Sequence, residues 1–418
     1  AKGNRWGLFP SVSAAWRFSG EKFLKSAQNW LSDGKIRVSY GHIGNQNISG
    51  GAYMSTWGST IYDRFNFGSP DSAVIGAGVT SVGNPVLMWE TSKQFDAGLD
   101  LSFFNNSLDF VADYFVKKVD NMLMQEPQPL TLGLPTYPYA NVGSMKNEGW
   151  EFGLTYRKSL GEWFLTASAN ISTYKNTVTS LGNGDAIYGS AYNNNTITKT
   201  EVGKPVGYFY GYVTNGIFQN ASQVEGSARR ETATPGDVRY KDLDGNDILD
   251  DNDRCMIGSP WPDFVYGVTL GAAWKGFDLN IFLQGSQGND VMNMTLFDFE
   301  SGTGYMNAWN GEGSTDRYHK ISADQGQNLL ISDYFLEDAS YMRIKNLQLG
   351  YDFCNRLIKS NTIISQLRLY VSVQNLCTLT RYSGLDPEIG SSSATLNGID
   401  QGFYPQPRIW TVGLNLKF

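Results

Sequence analysis

The chain has 418 residues, of which 14% are aromatic and 41% hydrophobic, with 46 glycines and a formal net charge of -7. It has no apolar run near the ~20 residues that a transmembrane helix needs, and no basic stripe to neutralise the phosphates of a nucleic acid. Three widely spaced cysteines and two histidines argue against a disulfide framework, a multi-histidine metal centre and a histidine-dependent triad. We therefore expect neither an enzyme nor a nucleic-acid-binding protein.

Apolar and polar residues alternate in many segments of the chain. A repeat of two residues is the side-chain period of a β-strand, so each of these segments is predicted to be a strand. The first strand is predicted from Val12 to Phe18, a short helix or turn from Glu21 to Asp33, and the next strand from Ile36 to Tyr40. Further strands are predicted over 94–103, 108–117, 150–156, 163–171, 264–274, 277–283, 342–353, 367–373 and 410–418, about twelve in all. A slip of phase in one of them predicts a β-bulge near Lys345 and Asn346.

One predicted hairpin carries four aspartates on its polar face. Asp96 and Asp100 precede a tight turn at 105–107, and Asp109 and Asp113 follow it. The turn is rich in asparagine, which tolerates positive φ. A soluble core would not carry four carboxylates on one continuous face, whereas the water-filled lumen of a membrane barrel does so.

The predicted connections between strands alternate in length. The short ones are 19–34, 105–107, 159–162, 275–276 and 354–364, and between them lie long ones at 43–90, 120–148, 176–263, 288–339 and 377–407. Outer-membrane barrels combine short periplasmic turns with long extracellular loops, and their strands need only about 9–11 residues. The sequence therefore predicts an all-β protein, a transmembrane antiparallel up-and-down β-barrel with long extracellular loops.

The longest loop contains an acidic stretch from Asp242 to Asp253. Aligned with a twelve-residue calcium loop, it offers as ligands Asp242, Asp244, Asn246, the backbone carbonyl of Ile248, Asp250 and Asp253. Asp247 stands where such loops carry glycine, so it must adopt positive φ, and Leu249 is expected to anchor the loop inward. We predict a structural Ca²⁺ or Mg²⁺ without a catalytic role. The alternative is an acidic, solvent-exposed turn that holds no ion.

Aromatic side chains crowd the predicted extracellular loops. Aromatic rings stack on sugars or pack against partner proteins. The candidate contacts for substrate or partner are Tyr53, Trp57, Tyr208, Tyr210, Tyr305, Trp309, Tyr382 and Tyr404. For each of these residues, the alternative is that the loops pack on themselves.

With its strands and loops placed, the chain resembles the SusC/RagA family of TonB-dependent outer-membrane transporters. The matching segments follow the family's order and span nearly the whole chain: Arg5 to Arg17, Gly83 to Ser92, Asn147 to Leu154, Val206 to Gln219, Pro235 to Arg254, Ser340 to Tyr351, Gln374 to Glu388 and Tyr404 to Phe418. The ending GLNLKF also resembles the signal by which the barrel-assembly machinery recognises its clients.

The resemblance implies a barrel of about 22 strands, plugged by an N-terminal domain, in the outer membrane of a Gram-negative bacterium. Residues 1–418 are then expected to form the C-terminal portion of the barrel, with the plug and the other N-terminal domains outside this chain. A first strand with an unpaired edge cannot face lipid, so the missing strands are expected elsewhere.

The resemblance also implies partners. They are a SusD-like surface lipoprotein, the TonB complex reached through the N-terminal region, an oligosaccharide or oligopeptide substrate, and membrane lipid or lipopolysaccharide, in a dimer of transporter–lipoprotein pairs. The predicted function is active import of oligomeric nutrients, glycan or peptide, across the outer membrane. Two alternatives are a passive outer-membrane porin of about twelve strands and a calcium-stabilised surface adhesin.

Overall fold

One large antiparallel sheet forms the frame of the molecule. A computed structural model describes residues 3–47, 50–59, 64–66, 73–125, 131, 138–182, 184, 186–192, 195–298, 306–322, 326–354, 364–391 and 393–418. The eleven strands of the sheet are β1 (Ser11–Trp16), β2 (Leu31–Asn45), β3 (Glu90–Phe103), β4 (Leu108–Asp120), β5 (Ser144–Leu160), β6 (Trp163–Ser180), β7 (Phe264–Trp274), β8 (Phe277–Gln287), β9 (Tyr341–Asp352), β10 (Gln366–Thr380) and β11 (Ile409–Lys417). Each strand pairs with its neighbours in chain order, so the topology is up-and-down.

Short elements occupy the connections. The strands among them are Thr56–Gly58, Arg64–Asn66, Ala73–Ile75, Gly78–Ser81, Leu123–Gln125, Tyr139–Asn141, Ile187–Tyr192, Asn195–Thr200, Tyr208–Gly211, Thr214–Ile217, Val238–Tyr240, Cys255–Gly258, Asp290–Asn293, Leu336–Asp338 and Ile399–Asp400. The helices are α1 (Ala221–Glu225), α2 (Thr295–Asp298) and the 3₁₀ turns Phe18–Gly20, Lys22–Ala27, Asp251–Asp253, Asp333–Phe335 and Ala394–Leu396. None of the described helices has the length and apolarity to cross a membrane.

The predicted strands and the alternation of their connections are confirmed. The large sheet contains eleven strands, where about twelve were predicted. The further strands in the described loops pair among themselves and form small separate sheets. Short connections at 17–30, 104–107, 161–162, 275–276 and 353–365 alternate with long ones at 46–89, 121–143, 181–263, 288–340 and 381–408. The helix or turn predicted over 21–33 is a pair of 3₁₀ turns and ends earlier, because the pairing of Leu31 with Phe103 extends β2.

The predicted β-bulge is present in β9. In the pairing of β9 with β8, Lys345 is an extra residue between Ile344 and Asn346, and the pairing of β9 with β10 shifts at the same place. On β10, Asn375 adopts a positive φ of 52° next to the same irregularity. The extra residue reverses the phase of the strand and thereby keeps apolar side chains on the same face on both sides of the bulge.

One face of the sheet is apolar and exposed. On β11 this face carries Trp410, Val412, Leu414 and Leu416, all of them between 45% and 72% exposed. At the edge with the short turns, aromatic rings meet in pairs: Trp163 with Trp274 at 5.2 Å and Phe277 with Tyr351 at 4.5 Å between centroids. A continuous apolar face with an aromatic girdle is typical of a barrel wall in lipid.

The hydrophobic core lies in the long loops. Ile197, Phe209, Met292, Phe335 and Ile399 form one buried cluster, and they come from three different long connections. We call the packed parts of connections 181–263, 288–340 and 381–408 the loop body. Because its core is closed, the loop body is a packed unit at the edge of the sheet that carries the long connections.

The two outermost strands of the sheet each have one neighbour. Among the described residues, β1 pairs only with β2, and β11 pairs only with β10. Their outer edges therefore carry backbone N–H and C=O groups without a strand partner. In a lipid environment such an edge requires pairing with another strand.

Candidate functional site

The polar face of the sheet forms a charged wall. Arg37 of β2 donates to Asp100 of β3 at 2.8 and 2.9 Å and to Asp113 of β4 at 2.9 Å. Gly98, the residue of β3 between them, makes room for this contact, because a Cβ there would lie 2.0 Å from Asp113 Oδ1. These ion pairs therefore link β2, β3 and β4 on the polar face of the sheet, which is the face predicted to line the lumen of a barrel.

The aspartates predicted to share one face do share it. Asp109 accepts hydrogen bonds from Ser102 at 2.7 Å and from Arg157 at 2.5 Å, and Asp96 lies in the same phase of β3 as Asp100. The basic partners on β2 and β5 were not identified from the sequence. They come from separate predicted strands, so only the register of the sheet brings them to the carboxylates.

A buried arginine fastens one long loop to the wall. Arg343 of β9 is 2% exposed and donates to Asp386 at 2.5 Å, to Glu388 at 2.9 Å and to Thr378 at 2.8 Å. Burial alone would raise the pKa of Asp386, but the backbone N–H groups of Gln406 and Glu388, together with Arg343, hold it below its usual value. These contacts fix connection 381–408 to β9.

Two cations stand over the ring of Tyr210 in the loop body. The Arg254 guanidinium stands 4.4 Å from its ring centre and the Lys199 ammonium 4.9 Å away. Lys199 also pairs with Glu201 at 2.8 Å. Burial raises the pKa of the Tyr210 hydroxyl, so the ring remains neutral and its face stays available to cations. The neighbouring ring of Tyr188 is 52% exposed.

Two of the aromatic residues predicted as contacts are buried. Tyr208 is 1% exposed and donates to Glu201 at 2.7 Å, and Tyr382 is 6% exposed and donates to Asp400 at 2.5 Å. Burial, followed by the adjacent carboxylate, raises the pKa of each phenol. In this structure both rings therefore pack within the loop body.

The other predicted aromatic contacts differ in exposure. Tyr53, Trp57 and Tyr404 are 42%, 71% and 89% exposed, and these three rings are free to meet another molecule. Trp309 is half-buried and donates from its indole nitrogen to Gln219 at 3.2 Å. Tyr305 lies outside the described residues.

The acidic loop brings three of its predicted ligands together. The carboxylates of Asp242, Asp244 and Asp253 each offer an oxygen within 4.8 Å of the others. Asp242 accepts from the N–H groups of Gly245 at 2.6 Å and Asp247 at 2.8 Å, which winds the loop tightly around it. Oxygen ligands brought together by a tight loop are the arrangement that a hard cation such as Ca²⁺ favours.

The remaining predicted ligands have other partners. Asn246 accepts from the N–H of Ile248 at 2.6 Å through its side-chain oxygen. Asp250 accepts from the N–H of Asn252 at 2.7 Å and caps a 3₁₀ turn, so its carboxylate is not in the group of three. Ile248 has an exposed side chain, and its contribution as a ligand is limited to its carbonyl.

Two local predictions for the acidic loop are confirmed. Asp247 adopts a positive φ of 62°, and Leu249 is 7% exposed within a core cluster of the loop body. The backbone N–H of Asp247 lowers the pKa of Asp242. Desolvation, followed by the charges of Asp253 and Asp242, raises the pKa of Asp244. The three carboxylates therefore repel one another in a way that a bound cation would relieve.

Comparison with known proteins shows a family model and individual relatives that are similar in sequence to the chain. The model of the family described as TonB dependent receptor-like, beta-barrel matches residues 1–284. The chain is 35% identical over its full length to the TonB-dependent receptor P3 of Formosa agariphila, covering 42% of that protein. It is 31% identical, again over its full length, to the TonB-dependent receptor SusC of Bacteroides thetaiotaomicron, covering 41% of that protein.

Comparison with solved structures shows similarity to transporters as well. The chain is similar to one chain of the RagAB peptide transporter, with a TM-score of 0.81, 28% identity, and coverage of 100% of this chain and 44% of that one. A second structure, of the RagAB peptide importer in an open-open state, has a TM-score of 0.77 and 27% identity. The chain therefore spans less than half the length of the relatives that it matches.

Proposed function

The chain belongs to the TonB-dependent receptor-like β-barrel family, and from this membership we propose that it forms the C-terminal portion of an active outer-membrane importer of oligomeric nutrients. Members of this family are β-barrels of the Gram-negative outer membrane, and the apolar face and aromatic girdle of this sheet suit that place. The proposal rests chiefly on the similarity to RagAB over the full length of the chain, at 28% identity and a TM-score of 0.81.

The edges of β1 and β11, which have no further strand partner among the described residues, support the proposal that further strands lie outside these 418 residues, and from the family membership we propose a plug there as well. A wall with two open edges needs strands that close it, and the relatives are more than twice as long as this chain. In the proposed whole protein, the charged wall at Arg37 lines the lumen beside the plug. The TonB complex would supply energy through the N-terminal region.

We further propose that a SusD-like lipoprotein covers the loop body and that its cargo is an oligopeptide or an oligosaccharide. The exposed rings of Trp57 and Tyr404 can pack on such a partner or stack on the cargo. The packed core of the loop body offers such a lipoprotein a surface on which to close. A dimer of transporter–lipoprotein pairs completes the proposed assembly.

Uptake by cells tests this function. A strain lacking the gene is complemented with the whole gene, and uptake of a labelled oligopeptide mixture and of a labelled oligosaccharide mixture is measured with and without TonB. The proposal predicts uptake of one mixture that depends on both the gene and TonB. Gene-dependent uptake that continues without TonB would instead establish a passive porin.

We also propose that the acidic loop binds a structural divalent cation through Asp242, Asp244 and Asp253. The carboxylates fit such an ion because they converge within 4.8 Å, and Asp253 is held in place by N–H groups of Leu243 at 2.7 Å and Asp250 at 3.0 Å. A cation there would brace the loop around buried Leu249 without a part in transport chemistry.

Calcium titration of the purified whole protein tests the cation site. Asp244→Asn should lower the affinity for Ca²⁺ at least about tenfold, because it removes one charged ligand. The matched control is Asp251→Asn, in the same acidic stretch but outside the group of three and 90% exposed. Equal affinity in both variants, or no calcium binding by the unmodified protein, would contradict the proposal.

A further inference from the structure

Four asparagines of the chain are each followed by glycine, and all four pairs lie in the long connections. They are at 183–184, 215–216, 310–311 and 397–398. The asparagine of the first pair lies outside the described residues. Because glycine has no Cβ to shield its backbone nitrogen, an asparagine before glycine is readily deamidated through attack by that nitrogen. The structure places the other three pairs in different surroundings.

Asn310 lies at the tip of a small surface loop. It is exposed, and neither its side chain nor the N–H of Gly311 has a hydrogen-bond partner among the described residues. Ser314 accepts from the backbone N–H of Asn310 at 3.1 Å and donates from its hydroxyl to the Gly311 carbonyl at 2.7 Å. The Gly311 nitrogen and the Asn310 side-chain amide are therefore both free to react.

The two ends of this small loop are fixed. The Trp309 indole nitrogen and the backbone N–H of Gly313 both donate to the side-chain oxygen of Gln219, at 3.2 and 2.8 Å. We call residues 310–312, between these two anchors, the loop tip. Tips of surface loops tolerate the local change of backbone that ring closure requires.

Asn215 is also exposed, but its surroundings hold it in place. It lies in the short strand Thr214–Ile217, which pairs with Val238–Tyr240. With its amide oxygen facing Arg239, the side chain accepts a hydrogen bond from Nε at 3.2 Å. Attack by the Gly216 nitrogen would break this bond and pull the residue out of the paired backbone, so we expect slow reaction here.

Asn397 is protected by packing. It is half-buried, and the glycine that follows it, Gly398, is buried. A Cβ at Gly398 would lie 2.7 Å from Pro260 and 3.1 Å from the ring of Phe209, and the Gly398 carbonyl accepts from the N–H of Met292 at 2.9 Å. The backbone at this pair cannot rearrange without opening the core of the loop body.

We infer that Asn310 is a site of spontaneous deamidation in the folded protein and that Asn215 and Asn397 are protected. The Gly311 nitrogen, whose proton goes to hydroxide, forms a bond with Cγ of Asn310, and the Cγ–Nδ2 bond breaks as ammonia leaves. Water then opens the succinimide ring at either carbonyl and yields aspartate or isoaspartate. One water is consumed and one ammonia is released, and no atom is oxidised or reduced.

The modification changes the loop tip in two respects. It adds a negative charge next to Glu312, which accepts a hydrogen bond from Asn220 at 2.6 Å. Isoaspartate also inserts one methylene into the backbone between Trp309 and Gly313, which are both held by Gln219. Since Trp309 is a predicted contact for substrate or partner, the product alters a surface beside that contact. This chemistry is independent of the import proposed above.

Mass spectrometry of the purified whole protein tests the site. The folded protein is incubated in a mildly alkaline buffer, and isoaspartate at each of the three asparagines is followed over time. Proteolytic peptides of the same protein, incubated in the same buffer, are the unfolded reference. In the peptides the three rates should agree within about threefold. In the folded protein, Asn310 should react at least about tenfold faster than Asn215 and Asn397.

Arg239→Met tests the reason for protection, because it frees the side chain of Asn215. It should raise deamidation of Asn215 in the folded protein at least about fivefold and leave Asn310 unchanged. The matched control is Arg317→Met, an exposed arginine stacked on Tyr318, which should change neither rate. Equal rates at the three asparagines of the folded protein, or an unmodified Asn310 while the peptides react, would overturn the proposal. So would an unchanged Asn215 in folded Arg239→Met.

Discussion

Replacing Arg343 by methionine should destabilise the protein more than removing any exposed arginine. The variant leaves Asp386 and Glu388 without their shared cation, and Asp386 is only 6% exposed. Breaking a buried ion pair from one side costs about 3–5 kcal/mol, because an uncompensated charge stays buried. Asp386 keeps two backbone N–H donors at 3.0 Å, which stabilise the remaining carboxylate, so we expect a loss of about 3 kcal/mol.

Arg368→Met is the matched control. Arg368 donates two hydrogen bonds to carboxylate oxygens, as Arg343 does, but both go to one aspartate, Asp278, at 2.7 and 2.5 Å, and the two side chains are 15% and 33% exposed. More exposed pairs contribute about 1 kcal/mol or less. The free energy of unfolding is measured by urea titration of the whole protein in lipid vesicles. An Arg343→Met loss no larger than that of Arg368→Met would refute the reasoning.

Three further predictions concern the loops. The pKa of Asp386 is held below its usual value, so the carboxylate's contribution to stability should be complete above about pH 5 and be lost as the pH falls below about 4. A stability difference between the wild type and Asp386→Asn that stays constant from pH 7 to about 3 would contradict this prediction. Tyr382→Phe should cost about 1–3 kcal/mol of unfolding free energy, because it removes the hydrogen bond to buried Asp400, whereas Tyr404→Phe, 89% exposed, should have no effect in the same titration. Asp247 has a φ of 62°, which glycine adopts without strain and valine does not. Asp247→Gly should therefore preserve thermal stability, whereas Asp247→Val should lower the free energy of unfolding by about 1–2 kcal/mol. Equal melting temperatures of the two variants would contradict this explanation.

Features set by neighbouring residues were predictable from the sequence. Strand periodicity located the eleven strands, and the phase slip at Lys345 located the bulge. The positive φ of Asp247 and the burial of Leu249 followed from the spacing of a single loop. In each case the controlling interactions lie within a few residues or within one strand.

Features set by distant parts of the chain were not predictable. Met292 pairs in parallel with Ile399, and Arg343 reaches Asp386 from another element, so neither contact leaves a local pattern. Tyr208 and Tyr53 are the same residue type in long loops, yet only Tyr53 is exposed. Packing of the loop body decides between them, and the sequence carries no period that reports it.

Three lysines on neighbouring strands of the large sheet show the same limit in a different form. Lys93, Lys118 and Lys146 belong to three predicted strands, and each looks like a solvated charge near a strand end. Only the register of the sheet reveals that they are directly opposite one another. A shift of one residue in either pairing would move one lysine to the lumen face.

The mass of the native polypeptide under denaturing conditions tests the central claim most directly. The 418 residues account for 46.3 kDa and for about two fifths of the length of the relatives. If these strands are part of a plugged importer, the intact polypeptide should have more than twice that mass and occur in the outer-membrane fraction. A polypeptide of 46.3 kDa that purifies from the outer membrane without a second fragment would contradict the account and favour a self-contained porin.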